Sequence, residues 1–323
     1  MKKFILKSIL FIAIIFIIQL FIWSNFPHFT PIPYESILNY KKAKTDVIYF
    51  GDSTLHSVNK IDHDKTPLYG LVSEKLSPLS LGIIMHDSYQ SEIELAYTKE
   101  MLKQKYFPKY IIVPINLRSF SPEWDLRPGF QFPDERVFLT YIHTPLEIFI
   151  PFFENFQVPE INSFDERIYH SAPVYNGDIF IGTAPQMEDT THVPEYTDRL
   201  KQLMTYFYMN RIHNNHRKLK ALVEIARLLK GTKTKVIFYI TPIDIDTGNS
   251  LLGKDFEGRI AENSKLISKA LMPYAHVINA FNMLHTRDFS WKAEGWYANE
   301  HLLESGRKIL SDKIAKDINI LEK

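Results

Sequence analysis

Residues 47–53 have the sequence Val47-Ile48-Tyr49-Phe50-Gly51-Asp52-Ser53. The four apolar residues that begin this segment favour a strand that is covered on both faces, as in a parallel sheet. Gly51 permits a sharp turn after that strand, so that Ser53 would stand at the junction with the next helix. Ligands of an open parallel sheet bind beyond the carboxyl ends of its strands, which makes this junction the first place to look for chemistry.

Four further apolar runs are similar to the first one. They span residues 79–83, 110–115, 236–240 and 276–280. Between them lie longer segments in which apolar residues recur three and four positions apart, the period of a helix. We therefore predict an α/β fold: a three-layer α/β/α domain on a doubly wound, parallel sheet of about five strands. Pro114 lies inside the third run and cannot donate a hydrogen bond to a neighbouring strand, so we expect an irregularity there.

The composition excludes several classes of protein. The 323 residues include 38 Lys and Arg against 37 Asp and Glu, a formal net charge of +1. Because there is no basic excess, we expect no nucleic-acid partner. The absence of cysteine excludes a disulfide scaffold, a thiolate zinc site and a cysteine nucleophile. His213 and His216 have helical spacing but no obvious acidic third ligand, and we expect neither a metal nor a cofactor.

The N-terminus carries a long apolar run. Residues 4–23 are almost wholly apolar, and twenty helical residues span about 30 Å, the thickness of a bilayer core. Three lysines lie at or before position 7, and no Lys or Arg follows until Lys41. The positive-inside rule therefore predicts a single-pass protein of the cytoplasmic membrane, with its N-terminus inside and its main domain extracytoplasmic. A cleaved signal peptide is the competing interpretation, but no small-residue cleavage pattern follows the run.

Three parts are predicted along the chain. We expect a transmembrane anchor at 1–25, a proline-containing tether at 26–44 and an extracytoplasmic domain at 45–323. Residues 121–205 interrupt the alternation of strands and helices and are rich in proline and aromatic residues. We interpret this segment as a long insertion that forms a lid or shapes the substrate site.

Polar residues follow several of the predicted strands. Ser53 follows the first, Gly82 lies near the end of the second and Asn116 follows the third. His301 leads into the last helix, where it could face Ser53 across the sheet edge. Together these residues would supply a nucleophile, a base and two oxyanion donors. The competing interpretation of Asp52 and Ser53 is a simple helix cap.

This combination resembles the SGNH/GDSL hydrolase superfamily. Gly51-Asp52-Ser53 matches its first block, Gly82 its second, Asn116 its third and His301 its fifth. The resemblance covers about residues 45–120 and 232–318 and implies a flavodoxin-like sheet.

The resemblance also implies a mechanism. Ser53 would attack an acyl carbonyl, and His301 would accept the proton of the serine. The backbone N–H groups of Ser53 and Gly82 and the side-chain amide of Asn116 would stabilise the oxyanion.

One departure concerns the third catalytic residue. The family usually has Asp three residues before the histidine, and this chain has Ala298 there. The nearest polar substitutes are Asn299, Glu300, Glu294 and Asp288. We take Glu300 as the candidate, and we expect a carboxylate or amide from residues 288–300 within hydrogen-bond reach of the His301 ring.

An anchor and a serine–histidine pair together resemble the single-pass SGNH-like proteins of alginate acetylation and teichoic-acid D-alanylation. The resemblance implies an acyltransferase in which Ser53 passes an acyl group, with acetyl as the first expectation, to a hydroxyl of a cell-envelope polysaccharide. It also implies a membrane-bound O-acyltransferase as partner. Two alternatives stay open: an anchored esterase that removes acyl groups from surface glycans or lipids, and a non-catalytic glycan-binding scaffold.

Overall fold

The computed structural model describes residues 2–25, 32–122, 124, 127–141, 174–175, 177, 180–181, 196–291 and 299–322. The strands are β1 (Val47–Gly51), β2 (Leu81–Met85), β3 (Tyr110–Ile115), β4 (Val174–Tyr175), β5 (Phe180–Ile181), β6 (Lys235–Ile240) and β7 (His276–Asn279). The helices are α1 (Lys2–Asn25), α2 (Ile32–Ala43), α3 (Ser53–His56), α4 (Leu68–Leu76), α5 (Ser91–Lys103), α6 (Pro133–Tyr141), α7 (Tyr196–Tyr208), α8 (Arg217–Leu229), α9 (Ile245–Leu252), α10 (Lys254–Leu271) and α11 (Glu304–Glu322).

A five-stranded sheet, parallel throughout and flanked by helices, forms the centre of the fold. Its strand order is β2-β1-β3-β6-β7. The prediction of an α/β fold with five parallel strands is therefore confirmed. Strand β2 is added on one side of β1, and β3, β6 and β7 follow on the other side. The direction in which strands are added therefore reverses between β1 and β3. Such a reversal leaves a crevice beyond the carboxyl ends of the two strands that flank it.

The core explains why these strands have continuous apolar sequences. All residues of β1 and β3 are buried, because helices pack over the sheet. Helix α4 packs against α11, and helix α5 packs against α8, α2 and α6. One continuous cluster of buried apolar side chains joins the strands to these helices.

Pro114 produces the expected irregularity, on one side of its strand only. The β3–β6 pairing continues to Ile115, but the β1–β3 pairing ends at Ile112. The Tyr110 N–H donates to the carbonyl of Asp46, the residue before β1. In a parallel pair every second residue donates to the same neighbouring strand, so position 114 should also donate to β1. Proline has no N–H to give. The end of β1 is therefore released from β3 just before the crevice.

The predicted tether is partly a folded element. Residues 32–43 form helix α2, in which Ile37 is fully buried. The Tyr40 hydroxyl donates to the Ile83 carbonyl at 2.7 Å and accepts from the Ile83 N–H at 3.1 Å. This second half of the tether is thus fastened to the edge strand β2.

The N-terminal segment forms helix α1 over 24 residues. Its described side chains, at positions 3–18, 20 and 21, are mostly large, apolar and exposed. Among the described residues, no helix is long and apolar enough to cross a membrane. The anchor at 1–25 therefore stays a prediction.

The predicted insertion at 121–205 is described only in part. It contributes α6, most of α7 and an antiparallel hairpin of β4 and β5. Helix α7 packs against the 3-10 turn Leu117–Phe120 that follows β3, and against α9 and α10. The end of the insertion therefore lies against the same strand end as Asn116.

Candidate active site

Ser53 stands at the start of helix α3, directly after strand β1. The turn is fixed by Asp52, whose Oδ1 accepts from the backbone N–H of Thr54 at 2.9 Å and from its hydroxyl at 2.6 Å. Gly51 is needed for a steric reason, because a Cβ at this position would overlap the side chain of Leu55. The interpretation of Asp52 as a helix cap is confirmed, and the cap presents the next residue, Ser53, at the crevice.

His301 meets Ser53 across 248 positions of sequence. The His301 Nε2 lies 3.0 Å from the Ser53 Oγ, and both residues are partly exposed. The backbone around His301 is held by short antiparallel pairing with the segment before it, since Ser290 N–H donates to the His301 carbonyl at 2.9 Å. The predicted encounter of these two side chains is confirmed, whereas their catalytic roles remain predictions.

Asn116 follows β3 and bridges two carboxylates. Its Oδ1 accepts from the Arg118 N–H at 3.0 Å, and its amide nitrogen is directed to the two carboxylates. Nδ2 donates to Asp52 Oδ2 at 2.9 Å and to Glu300 Oε1 at 3.0 Å. An amide nitrogen carries two protons, and both are used here. Asn116 can therefore donate to an oxyanion only after one of these two bonds is released.

Glu300 is buried in the wall of the site and tied to three partners. Besides Asn116, it accepts from the Tyr208 hydroxyl at 2.9 Å and pairs with the Arg118 guanidinium at 3.4 Å. Burial alone would raise the pKa of Glu300, but the charges of Arg118 and His301 and the Asn116 bond outweigh burial and lower it to about 2. Glu300 is therefore a fixed negative charge beside the serine–histidine pair.

The candidacy of Glu300 as the third catalytic residue needs correction. Among the described contacts, its carboxylate makes no hydrogen bond to the His301 ring, whose one partner there is Ser53. The Glu300 side chain is buried, whereas His301 is partly exposed and contacts Ser53, so the two neighbouring side chains face different partners.

The other candidates for that role do not fill it either. Asn299 Oδ1 accepts from the backbone N–H of His301 at 3.0 Å, and Asp288 accepts from the Ser305 hydroxyl and the His285 N–H. Glu294 and Ala298 fall outside the residues that the structure describes. Within 288–291 and 299–300, the expected carboxylate or amide partner of the His301 ring is therefore not found.

Gly82 was predicted as an oxyanion donor, and its position shows that this is wrong. It is the second residue of β2, paired with Ile48, and the strand ends three residues later at Met85. At about 3.3 Å per residue, Gly82 lies about 10 Å from the edge that carries the site. A Cβ there would meet the Tyr40 ring at 2.8 Å, so this glycine makes room for helix α2.

The backbone that reaches the site from β2 is the loop after Met85. The His86 N–H donates to the Gly51 carbonyl at 3.4 Å, and the Asp87 carboxylate lies 3.5 Å from His56 of helix α3. The same loop contacts the insertion, because the Tyr89 and Phe132 rings meet edge to face at 4.7 Å. This loop, rather than β2 itself, therefore lies beside helix α3.

Arg118 and Tyr208 were missed by the sequence analysis. The Arg118 guanidinium lies over the rings of Phe207 and Trp124, at 4.1 and 4.9 Å from the ring centres. Cation–π contacts of this kind stabilise a desolvated charge. Arg118 follows Asn116 by two positions, which is a usable signal, whereas Tyr208 belongs to the distant helix α7 and has no signal in the sequence.

The basic segment at 211–220 is structural where its contacts are described. Arg217 pairs with Glu92 at 3.3 Å and donates to Gln131 at 2.8 Å, and His216 caps helix α8.

Across the described residues, no three His, Asp or Glu side chains cluster so as to hold a metal ion.

A comparison with protein-family models finds no match to this chain, and a comparison with curated proteins finds none either. The resemblance to the SGNH/GDSL hydrolases is therefore carried by residues and their arrangement alone.

Proposed function

We propose that this chain is a membrane-anchored serine acyltransferase of SGNH type, in which Ser53 carries an acyl group to a hydroxyl of a cell-envelope polysaccharide. The observation that carries the proposal is the 3.0 Å contact between Ser53 Oγ and His301 Nε2. It lies beyond the end of β1, at the point where the strand order reverses, which is where doubly wound sheets bind their ligands.

The chemistry has two halves. In the first, Ser53 Oγ attacks the carbonyl carbon of an acyl donor, and His301 Nε2 takes the serine proton and gives it to the departing alcohol or thiol. In the second, a sugar hydroxyl loses its proton to His301 and attacks the acyl-serine. The ester passes to the sugar, and the proton returns to Ser53.

The oxyanion needs donors, and this edge of the sheet holds two candidates. The Ser53 N–H lies at the start of α3, and the Asn116 amide is bonded to the neighbouring Asp52. Asn116 would exchange its bond to Asp52 or Glu300 for one to the oxyanion as charge develops. Glu300 then stabilises the positive charge that His301 gains in the transition state.

Two features bear on the choice between transfer and hydrolysis, and they favour different outcomes. The aromatic residues Trp124 and Phe132 of the insertion and Phe207 of α7 lie around Arg118 and the loop after β2. They favour transfer, because an acyl-enzyme survives only where water is excluded. The partial exposure of Ser53 and His301 favours the second candidate, an anchored esterase.

The anchor is part of the same proposal. Phe4, Phe11 and Ile17 of α1 are each more than 60% exposed, and an apolar surface of that extent calls for a lipid or protein cover. With three lysines among its first residues, α1 would leave the N-terminus in the cytoplasm and the α/β domain outside. A membrane-bound O-acyltransferase would then supply the acyl group through the bilayer.

The proposal is tested by trapping the acyl-enzyme. Full-length protein is treated with p-nitrophenyl acetate, quenched in acid and digested, and fragment ions locate the acetyl group. We expect acetyl on Ser53 and none on Ser57, a second serine in the same peptide that serves as an internal control.

The Ser53→Ala variant should carry no acetyl group and should fail to support polysaccharide acylation in cells. If the wild-type protein gains no acetyl group and Ser53→Ala supports polysaccharide acylation normally, the acyltransferase and the esterase are both refuted. The glycan-binding scaffold is then the remaining function. Labelled protein that loses its acetyl group to water as fast as to a glycan is an esterase.

A further inference from the structure

A further buried carboxyl group, that of Glu94, lines a cavity together with Asp52 and Asn116 and has no assigned role. Glu94, in the first turns of helix α5, is 2% exposed, and its Oε2 has no hydrogen-bond partner among the described residues. Burial raises the pKa of Glu94 well above its usual range, and the nearby charge of Asp52 raises it further. A buried acid with an open oxygen is costly unless something completes its hydrogen bonding.

A small polar cavity lies beside Glu94. Glu94, Asp52 and Asn116 line one small cavity with a volume of about 10 Å³. Three more polar residues line the same cavity: Gln90, Ser91 and Ser119. That volume holds a single water molecule, and a buried water needs two to four polar partners, which this cavity supplies.

We propose that Glu94 is a positioning residue for Ser53: a neutral carboxylic acid that holds one buried water against Asp52 and thereby fixes the turn that presents the nucleophile. This inference rests on the proposed function of Ser53.

The hydrogen bonds balance in this arrangement. A carboxylate offers about four acceptor positions, and Asp52 uses three of them for the Thr54 N–H, the Thr54 hydroxyl and Asn116. The water donates to the fourth and accepts from the Glu94 O–H. An ionised Glu94 could not donate, and it would place a second negative charge against Asp52.

Two substitutions separate the role of the acid from its volume. Glu94→Gln keeps a donor and an acceptor without charge, and Glu94→Leu removes both at similar size. Helix α5 offers a matched control in Glu100, which is also 2% exposed and accepts from Gln104 at 2.7 Å. It lies almost two turns further along the helix and is not among the residues that line the cavity.

The readout is the rate at which p-nitrophenyl acetate acylates Ser53 in the full-length protein, measured by mass spectrometry as a function of reagent concentration. We expect Glu94→Gln to stay within about 3-fold of wild type. Glu94→Leu should slow the maximal rate about 10-fold, the value of one hydrogen bond to a charged group, with little change in the half-saturating concentration. Glu100→Leu should change the thermal midpoint without changing the rate.

An infrared measurement tests the neutral acid independently of catalysis. The difference spectrum of wild type minus Glu94→Gln at neutral pH should contain the carbonyl band of a protonated carboxyl group, and its absence overturns the inference. A Glu94→Leu rate equal to wild type also overturns it while the function of Ser53 stands. A wild-type protein that is never acylated refutes the proposed function, and the positioning role of Glu94 falls with it.

Discussion

Replacing Glu300 by Gln should destabilise the fold by about 3 kcal/mol at neutral pH. The pKa of this buried carboxyl falls from an ordinary 4.5 to about 2, and each tenfold change in proton affinity is worth about 1.4 kcal/mol. The figure agrees with the cost of about 3 to 5 kcal/mol for breaking a buried ion pair, here Arg118 with Glu300 at 3.4 Å. The neutral amide of the Glu300→Gln variant would leave the Arg118 guanidinium without this counter-charge.

The pH dependence has a definite sign. The pKa of Glu300 is lower in the folded state than in the unfolded state. The contribution of the ionised Glu300 to the free energy of unfolding is therefore complete well above pH 4.5 and is lost as the pH falls towards 2. Urea unfolding of wild type and Glu300→Gln should therefore show the full difference at pH 7. Roughly 2 kcal/mol of it should be gone at pH 3, by the linkage relation.

A surface pair of the same residue types supplies the control. Arg211 and Glu262 lie 3.6 Å apart with half-exposed side chains, and Glu262 also lies 3.9 Å from Arg259, so Glu262→Gln should cost about 1 kcal/mol or less. Adding Arg118→Met to Glu300→Gln should restore part of the loss, because it removes the positive charge that Glu300 no longer balances. A Glu300→Gln difference below about 1 kcal/mol at pH 7, or one equal at pH 3 and pH 7, would refute the reasoning.

Three further predictions follow from the positions of single residues. In urea unfolding, Gly82→Ala should destabilise the protein by about 1 to 3 kcal/mol, because the new methyl group overlaps the Tyr40 ring, and Ser53 acylation should be unchanged. Gly258→Ala is the control, because the space around Gly258 is open. Lost acylation in Gly82→Ala would show that Gly82 belongs to the active site. Asn116→Ala should slow acylation about 10²-fold to 10³-fold in the same mass-spectrometric assay, as the loss of an oxyanion donor does, and a smaller effect would limit Asn116 to bracing Asp52. Because the chain has no cysteine, a membrane-impermeant maleimide should label Lys60→Cys but not Lys3→Cys in intact cells, and the reverse pattern would overturn the proposed topology.

Local patterns were enough to predict the sheet. Apolar runs with the length of a strand and helical segments between them allow few arrangements, and the five parallel strands follow from them. Pro114 could be interpreted from sequence as well, because its missing N–H has a local consequence. The end of β1–β3 pairing is that consequence.

Contacts between distant segments were harder to predict. Strand β2 spans Leu81–Met85, two residues later than the apolar run at 79–83. Gly82 therefore lies near the start of the strand and not at its end. Position 82 must be glycine because the Tyr40 ring of α2 packs against it. The prolines of that segment had indicated a tether, so this contact could not be predicted. The partners of Glu300 lie 92 and 182 positions away in Tyr208 and Arg118, and no spacing rule connects them.

The role of the Ser53–His301 pair is tested most directly by the rate of acyl-Ser53 formation in rapid-quench mass spectrometry, compared between wild type and His301→Ala. General-base catalysis is worth about 10²-fold to 10⁴-fold, so the variant should form acyl-Ser53 at least about 10² times more slowly at equal folded fraction. Equal rates in the two proteins, or acyl groups on any residue except Ser53, would contradict the proposed mechanism.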